Sequence, residues 1–183
     1  MGKQVVIYCA SSGTIDPKYN EAARQLVQGL HERGYDIVSG GGARGTMGAI
    51  TGESVRLGGR HVAVLPAFME GLEHPEVSEV VWTKTMAERK ERMREDTVAA
   101  IALPGGIGTL EELMETHTLR KLNKYQGEVF ALNLDGFYNP LKAVLDHFVE
   151  TKMTERADID LLHFPDTVEQ LLEYFEFSGT PSP

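Results

Sequence analysis

Only one cysteine, Cys9, and one tryptophan occur in 183 residues. A single thiol cannot close a disulfide within the chain or build a cysteine cage for zinc, and it suits a reducing compartment. Positive charge is scarce too: 18 Lys and Arg stand against 27 Asp and Glu, for a formal charge of −9. The basic face that displaces counterions from a nucleic-acid polymer is missing, so any anionic ligand must be met by local donors. No apolar run approaches the ~20 residues that span a bilayer, and no charged leader with an apolar stretch opens the chain. The six histidines show no ligand spacing of the HExxH kind. A cytoplasmic protein that takes no membrane, nucleic-acid polymer or metal as partner is the expectation.

What the chain has instead is a strict alternation of strand and helix patterns. The stretch 3–10, KQVVIYCA, is a β-branched apolar run of the type buried on both faces. Asp16 and Pro17 open a helix in which Tyr19, Ala22, Ala23, Leu26, Val27 and Leu30 recur at helical spacing until Gly34 stops it. Strand YDIVSGGG, helix TMGAITGESVRLGG and strand HVAVLP follow. Residues 67–77 read as a loop, and then come a strand over 79–83, a charged helix over 86–95 and the strand VAAIALP. A helix from Leu110, the strand EVFALNLD, a helix from Pro140 and a last helix over 167–175 complete the order, with a frayed tail from about residue 178. Such alternation predicts one α/β domain over residues 1–183: a doubly wound parallel sheet with helices on both faces.

Two glycine-rich turns fall where an open α/β sheet binds ligands, at the carboxyl ends of strands. In the first, Gly40, Gly42 and Gly45 have GxGxxG spacing. A dinucleotide site would also carry an acid at the end of the next strand, which here reads VLPAF, and no GK[ST] follows the glycines as in a Walker loop. A tight turn or a mononucleotide-facing loop remains.

The second turn, PGGIGTLEE over 104–112, has more specific chemistry. Gly105, Gly106 and Gly108 carry no Cβ, so a ligand can approach the backbone, and the first amides of the following helix have no intrahelical acceptor. With the helix dipole behind them, they suit a phosphate. Thr109 and Glu112, however, also have the T-x-x-E spacing of a capping box, which would explain Glu112 without a ligand but not the second acid, Glu111. On either reading, Glu112→Gln is expected to leave stability near native. Upstream, TMAERKERMRED groups Arg89, Lys90, Arg92 and Arg94. Such a run reads either as a solvated helix face or as cations completing a phosphate site.

Taken together, GGGxxGxMG (residues 40–48), MxxRK (86–90) and PGGxGTxxE (104–112) resemble the motifs of the Lonely Guy family. These are cytokinin riboside 5′-monophosphate phosphoribohydrolases, once labelled possible lysine decarboxylases. The resemblance runs from the first strand and its Ser11-Ser12-Gly13 turn to NLDGFYNPL, hence most of the chain. It implies a Rossmann-like homodimer, without cofactor, that hydrolyses the N-glycosidic bond of a nucleoside 5′-monophosphate. Arg89 and Glu112 map onto the family's functional pair. Lys90, Gly105, Gly106, Ile107, Gly108, Thr109, Glu111 and Thr118 map onto substrate contacts, with Ser11, Ser12, Gly41, Gly42 and Gly45 as further candidates. Glu112 would orient a ribose hydroxyl or the attacking water, and Arg89 would fix the phosphate or the departing base. Thr46 stands where the family has a bulky aliphatic residue, and in the divergent loop either Glu70 or Glu73 is the family's ligand-binding acid. A carrier on the same fold would need the glycine loop but not Glu112. A pyridoxal decarboxylase would need an imine-forming lysine, for which Lys90 has no suitable surroundings. His117 and Cys9 read as packed rather than catalytic.

Overall fold

The computed structural model describes residues 3–176, so the tail expected from residue 178 lies outside the described residues. The chain runs β1 (Lys3–Tyr8), α1 (Pro17–Glu32), β2 (Tyr35–Ser39), α2 (Gly45–Leu57), β3 (His61–Pro66), β4 (Glu79–Thr83), α3 (Met86–Arg94), β5 (Thr97–Ala102) and α4 (Ile107–Lys121). It continues through β6 (Glu128–Ala131), α5 (Asn139–Glu150), α6 (Arg156–Ile159), β7 (Leu162–His163) and α7 (Val168–Leu172). The strands form one sheet in the order β4-β3-β2-β1-β5-β6-β7, and every pairing is parallel.

β1 shows why its apolar run is uninterrupted. Val5, Ile7 and Cys9 pack towards α1, α2 and α7, while Val6 and Tyr8 pack towards Met93 of α3, Leu113 of α4 and Leu145 of α5. Alternate side chains therefore enter two separate cores, where a polar group needs a partner, as the Tyr8 hydroxyl has in Thr116 Oγ1 at 2.9 Å. The helix ends follow from local chemistry. Asp16 accepts from Lys18 N–H at 3.0 Å with Pro17 in the first turn of α1, and Gly34 beyond its end takes φ 81°. Thr85 caps α3 by accepting from Glu88 N–H at 3.1 Å, and the Glu88 carboxylate reaches back to Lys84 N–H at 2.7 Å.

From β1 the sheet grows outward through β2, β3 and β4, then the chain returns to place β5 on the other side of β1. That reversal opens a crevice above the carboxyl ends of β1 and β5, and both glycine turns face the same edge. Several boundaries differ from the sequence reading, among them the strand expected over EVFALNLD, which ends at Ala131. α4 begins at Ile107 rather than Leu110, because Gly108 joins its first turn while Gly106 serves as the N-cap. The last helix is confined to Val168–Leu172. Neither α6 nor β7 was legible, since a four-residue helix and a two-residue strand are too short to show a period.

Candidate active site

The first glycine turn leaves β2 and is held down at several points. Gly41 takes φ +65°, and a Cβ there would lie 2.1 Å from the Ala63 Cβ. At Gly45, with φ +59°, a Cβ would lie 2.4 Å from the Ser12 carbonyl oxygen. These two glycines allow close packing, on β3 and on the turn after β1 respectively. The loop after β3 is strapped across this turn: His74 N–H donates to Gly41 O at 2.8 Å, Ala43 N–H donates to Leu72 O at 3.2 Å, and Glu73 bridges Gly42. Of the two candidate acids, Glu73 is thus the one tied to the turn, half-buried, its carboxylate accepting from Gly71 N–H at 2.7 Å, whereas Glu70 is exposed. Thr46, in the first turn of α2, is fully buried.

Gly40 does something else. A Cβ at this position would sit 2.4 Å from Arg89 Nη2, so the absent methyl is the space the guanidinium occupies. Arg89 enters from α3 with only 6% of its surface exposed. Its Nε donates to the Val64 carbonyl at 3.0 Å, and its Nη1 donates to Glu112 Oε1 at 2.7 Å. Glu112, on α4, is equally buried at 6%. Burial raises its carboxyl above the usual glutamate range, and the adjacent guanidinium pulls it back without cancelling that effect.

α4 itself opens towards solvent. Gly106 is its N-cap and offers no side chain, and the amides of Ile107, Gly108 and Thr109 precede the first intrahelical bond, Leu110 N–H to Gly106 O at 3.0 Å. A Cβ on Gly106 or Gly108 would meet nothing within 4 Å, and Ile107 is 88% exposed. Gly105 differs: a Cβ there would lie 2.2 Å from Thr109 Oγ1, so its role is to let buried Thr109 fold back against the turn. The capping-box reading of Thr109 and Glu112 fails, because the helix already starts at Ile107 and Glu112 turns to Arg89 instead. The two residues share a helix face at i,i+3.

The remaining candidates are distributed unevenly. Lys90 pairs with Glu111 and lies 2.6 Å from Glu115, while Arg94 reaches Glu115 at 3.2 Å. Hydrogen bonds to Glu111 and Glu115 raise the Lys90 ammonium above its ordinary value. Of the cations expected to await a phosphate, Arg89, Lys90 and Arg94 are thereby neutralised by carboxylates of α4, and Arg92 pairs with Glu95 at the end of its own helix at 2.5 Å. Ser11 and Ser12 are exposed at the end of β1, beside Gly45. Thr118 is exposed and donates to Met114 O at 2.8 Å, roughly 9 Å along the helix from Glu112, so it does not join the pair. His117 and Cys9 are 5% and 3% exposed, both packed. A groove of about 780 Å³ between β4, α3 and α4, lined by Trp82, Ala87, Leu119 and Tyr125, includes neither Arg89 nor Glu112, so volume does not mark the site. Among the described residues, no group of three or more His, Cys, Asp or Glu could hold a metal ion, and no helix is long and apolar enough to cross a membrane.

A parallel sheet whose switch point carries an open amide cradle beside a buried arginine–glutamate pair defines a Rossmann-like α/β protein. The chain belongs to the family described as "Possible lysine decarboxylase", whose profile matches residues 47–175. It is 39% identical over 179 residues to the cytokinin riboside 5′-monophosphate phosphoribohydrolase LOG7 of Arabidopsis thaliana, covering 94% of this chain and 82% of that protein. To the enzyme LOG of Oryza sativa subsp. japonica it is 38% identical over 179 residues, covering 96% of this chain and 74% of that one. The sequence resemblance to the Lonely Guy family is thus shown along nearly the whole chain. Solved structures share the fold: a molybdenum cofactor binding protein from Rippkaea orientalis has a TM-score of 0.71 at 22% identity, covering 95% of this chain and 96% of that one. The molybdenum cofactor carrier protein of Chlamydomonas reinhardtii has a TM-score of 0.73 at 16% identity, with the same coverage of 95% and 96%. At those identities the likeness extends to architecture alone.

Proposed function

We propose that this protein is a nucleoside 5′-monophosphate phosphoribohydrolase, acting on a cytokinin riboside monophosphate or an AMP-like nucleotide to give the free base and ribose 5-phosphate. The observation that carries this reading is the buried Arg89–Glu112 pair beside the open amides of Gly106, Ile107, Gly108 and Thr109. A phosphate seated on those amides anchors the nucleotide through a part that does not react. Cleavage breaks the bond between C1′ and the base nitrogen, and that electron pair leaves with the base. The sugar becomes oxocarbenium-like until a water oxygen bonds C1′ and its proton passes to the base. Glu112 supports the positive charge and orients the water or a ribose hydroxyl. Arg89 is committed to Glu112 and Val64, so its task is to keep that carboxylate ionised and aimed.

Decarboxylase chemistry, named in the family description, does not fit these residues. An imine-forming lysine must shed its proton readily, whereas Glu111 and Glu115 hold Lys90 as an ammonium. We read the chain as a single nucleotide-binding domain working in the cytoplasm as a homodimer. Exposed Leu110 and Leu122 of the α4 region and Val144 and Phe148 of α5 support an apolar contact between copies, which light scattering would test.

The test of function is a turnover screen across nucleoside monophosphates, with the corresponding nucleosides as controls and free base read by chromatography. Base release from a monophosphate and not from its nucleoside is expected. Recovery of every nucleotide intact would refute the reading.

A further inference from the structure

The amide cradle at α4 is only as well aimed as the peptide that leads into it, and that peptide has an unusual weakness. β5 ends at Ala102, and Leu103 precedes Pro104, which has no N–H and a fixed φ. Leu103 N–H donates to Tyr8 O at 2.9 Å, and the Leu103 carbonyl is the one polar group of the Leu103–Pro104 peptide itself. It accepts a hydrogen bond of 2.7 Å from the hydroxyl of Tyr138.

Tyr138 is 5% exposed and sits at the start of α5, outside all three motifs. Its own position is fixed from below. Tyr138 N–H donates to Asn133 Oδ1 at 2.8 Å, and Asn133 Nδ2 donates to Asn139 Oδ1 at 3.1 Å and Asp166 Oδ1 at 2.8 Å. Asn133 N–H donates to Pro165 O at 2.8 Å. A continuous polar pillar thus rises from the segment before α7, through the end of β6, to the carbonyl that enters the cradle. Each member is bonded, which is the condition for such a buried network to rigidify its surroundings.

We propose that Tyr138 is a positioning residue for phosphate binding: its hydroxyl orients the Leu103–Pro104 peptide and thereby the amides of Gly106, Ile107, Gly108 and Thr109. This rests on the reading of those amides as the phosphate seat. Tyr138 contacts no substrate, and its effect is confined to the phosphate end of the ligand. Tyr125 supplies a matched comparison. It is 6% exposed, and its hydroxyl shares a hydrogen bond of 2.9 Å with Thr97 Oγ1 at the opposite end of β5.

The experiment titrates ribose 5-phosphate into wild type, Tyr138→Phe and Tyr125→Phe by calorimetry, with melting temperatures recorded. Tyr138→Phe is expected to weaken ribose 5-phosphate about tenfold, the equivalent of one lost hydrogen bond, while Tyr125→Phe binds like wild type. With the nucleotide found in the turnover screen, the same tenfold appears in KM and kcat is retained. Equal binding by wild type and Tyr138→Phe overturns the proposal, as does an equal loss in both variants, which would mark general loosening. If Tyr138→Phe does not fold, exposed Asp166 takes its place: Asp166→Ala should weaken ribose 5-phosphate roughly threefold and Asp166→Asn, which keeps the acceptor, should restore it. Should wild type hydrolyse nucleotides while Tyr138→Phe is indifferent, only this inference falls; should wild type bind no ribose 5-phosphate, the phosphate seat falls with it.

Discussion

A methyl group placed on Gly40 tests the site without replacing either charged residue. Gly40 does not take a left-handed backbone, so alanine adds no φ strain, and its whole effect is steric. The new Cβ would lie 2.4 Å from Arg89 Nη2 and 3.4 Å from Met47 Cε, where ordinary contact begins near 3.4 Å. The guanidinium must therefore retreat by roughly 1 Å. A free arginine would swing away, but this one is held by Val64 O at 3.0 Å and Glu112 at 2.7 Å, so the shift is taken from those two bonds. Overpacking of this kind costs about 1–3 kcal/mol. A misplacement of that size in a catalytic constellation lowers turnover about 100-fold. The assay is base release from a nucleoside monophosphate, with thermal melting alongside. Gly40→Ala should melt several degrees lower yet fold, and lose about 100-fold in kcat with a small change in KM. Gly13→Ala, whose Cβ meets nothing within 4 Å, should behave as wild type. Full activity in Gly40→Ala would show that the guanidinium's place is irrelevant and refute the reasoning.

Other outcomes follow from the same geometry. Glu112→Gln should lose at least ~100-fold in kcat. It should also destabilise by about 3 kcal/mol, against the near-native stability expected from the sequence on either reading, because Arg89 remains buried without its counter-charge; urea unfolding measures this. Activity should fall as pH drops through a midpoint above the ordinary glutamate value, since protonation removes the working carboxylate, and a pH–rate profile reads it directly. In that same window the folded state holds a proton the unfolded chain has released, so Glu112's contribution to stability declines as pH rises, and the effect should vanish in Glu112→Gln. Gly52→Ala, inside α2 with open space around its Cβ, should stabilise the fold by about 0.5–1 kcal/mol in thermal melts.

Periodicity made the sheet legible, because β1 buries both faces and α1 keeps one apolar stripe between Asp16 and Gly34. The glycine turn at the end of β5 was legible as well, because its glycines follow an apolar strand and lead into a helix. The individual tasks of the glycines were not. Gly40, Gly41, Gly45 and Gly105 each leave room for a specific neighbour, whereas Gly106 and Gly108 face open space, and a sequence shows all six alike. Gly40's neighbour is Arg89, on α3, and nothing local announces the pairing. Arg89, Lys90 and Arg94 of α3 read as free cations because their counter-charges Glu111, Glu112 and Glu115 lie on another helix. Tyr138 went unnoticed for the same reason: its value depends on Leu103, which belongs to a different strand end.

The arginine–glutamate pair draws on the turn after β2, a carbonyl of β3, and the helices α3 and α4, none of which can assemble it alone. β5, the strand that leads into α4, lies between β1 and β6, so its place in the sheet is fixed from both sides. If the proposed function holds, a chain with the turn, β3, α3 or α4 out of place would lack the pair on which turnover depends.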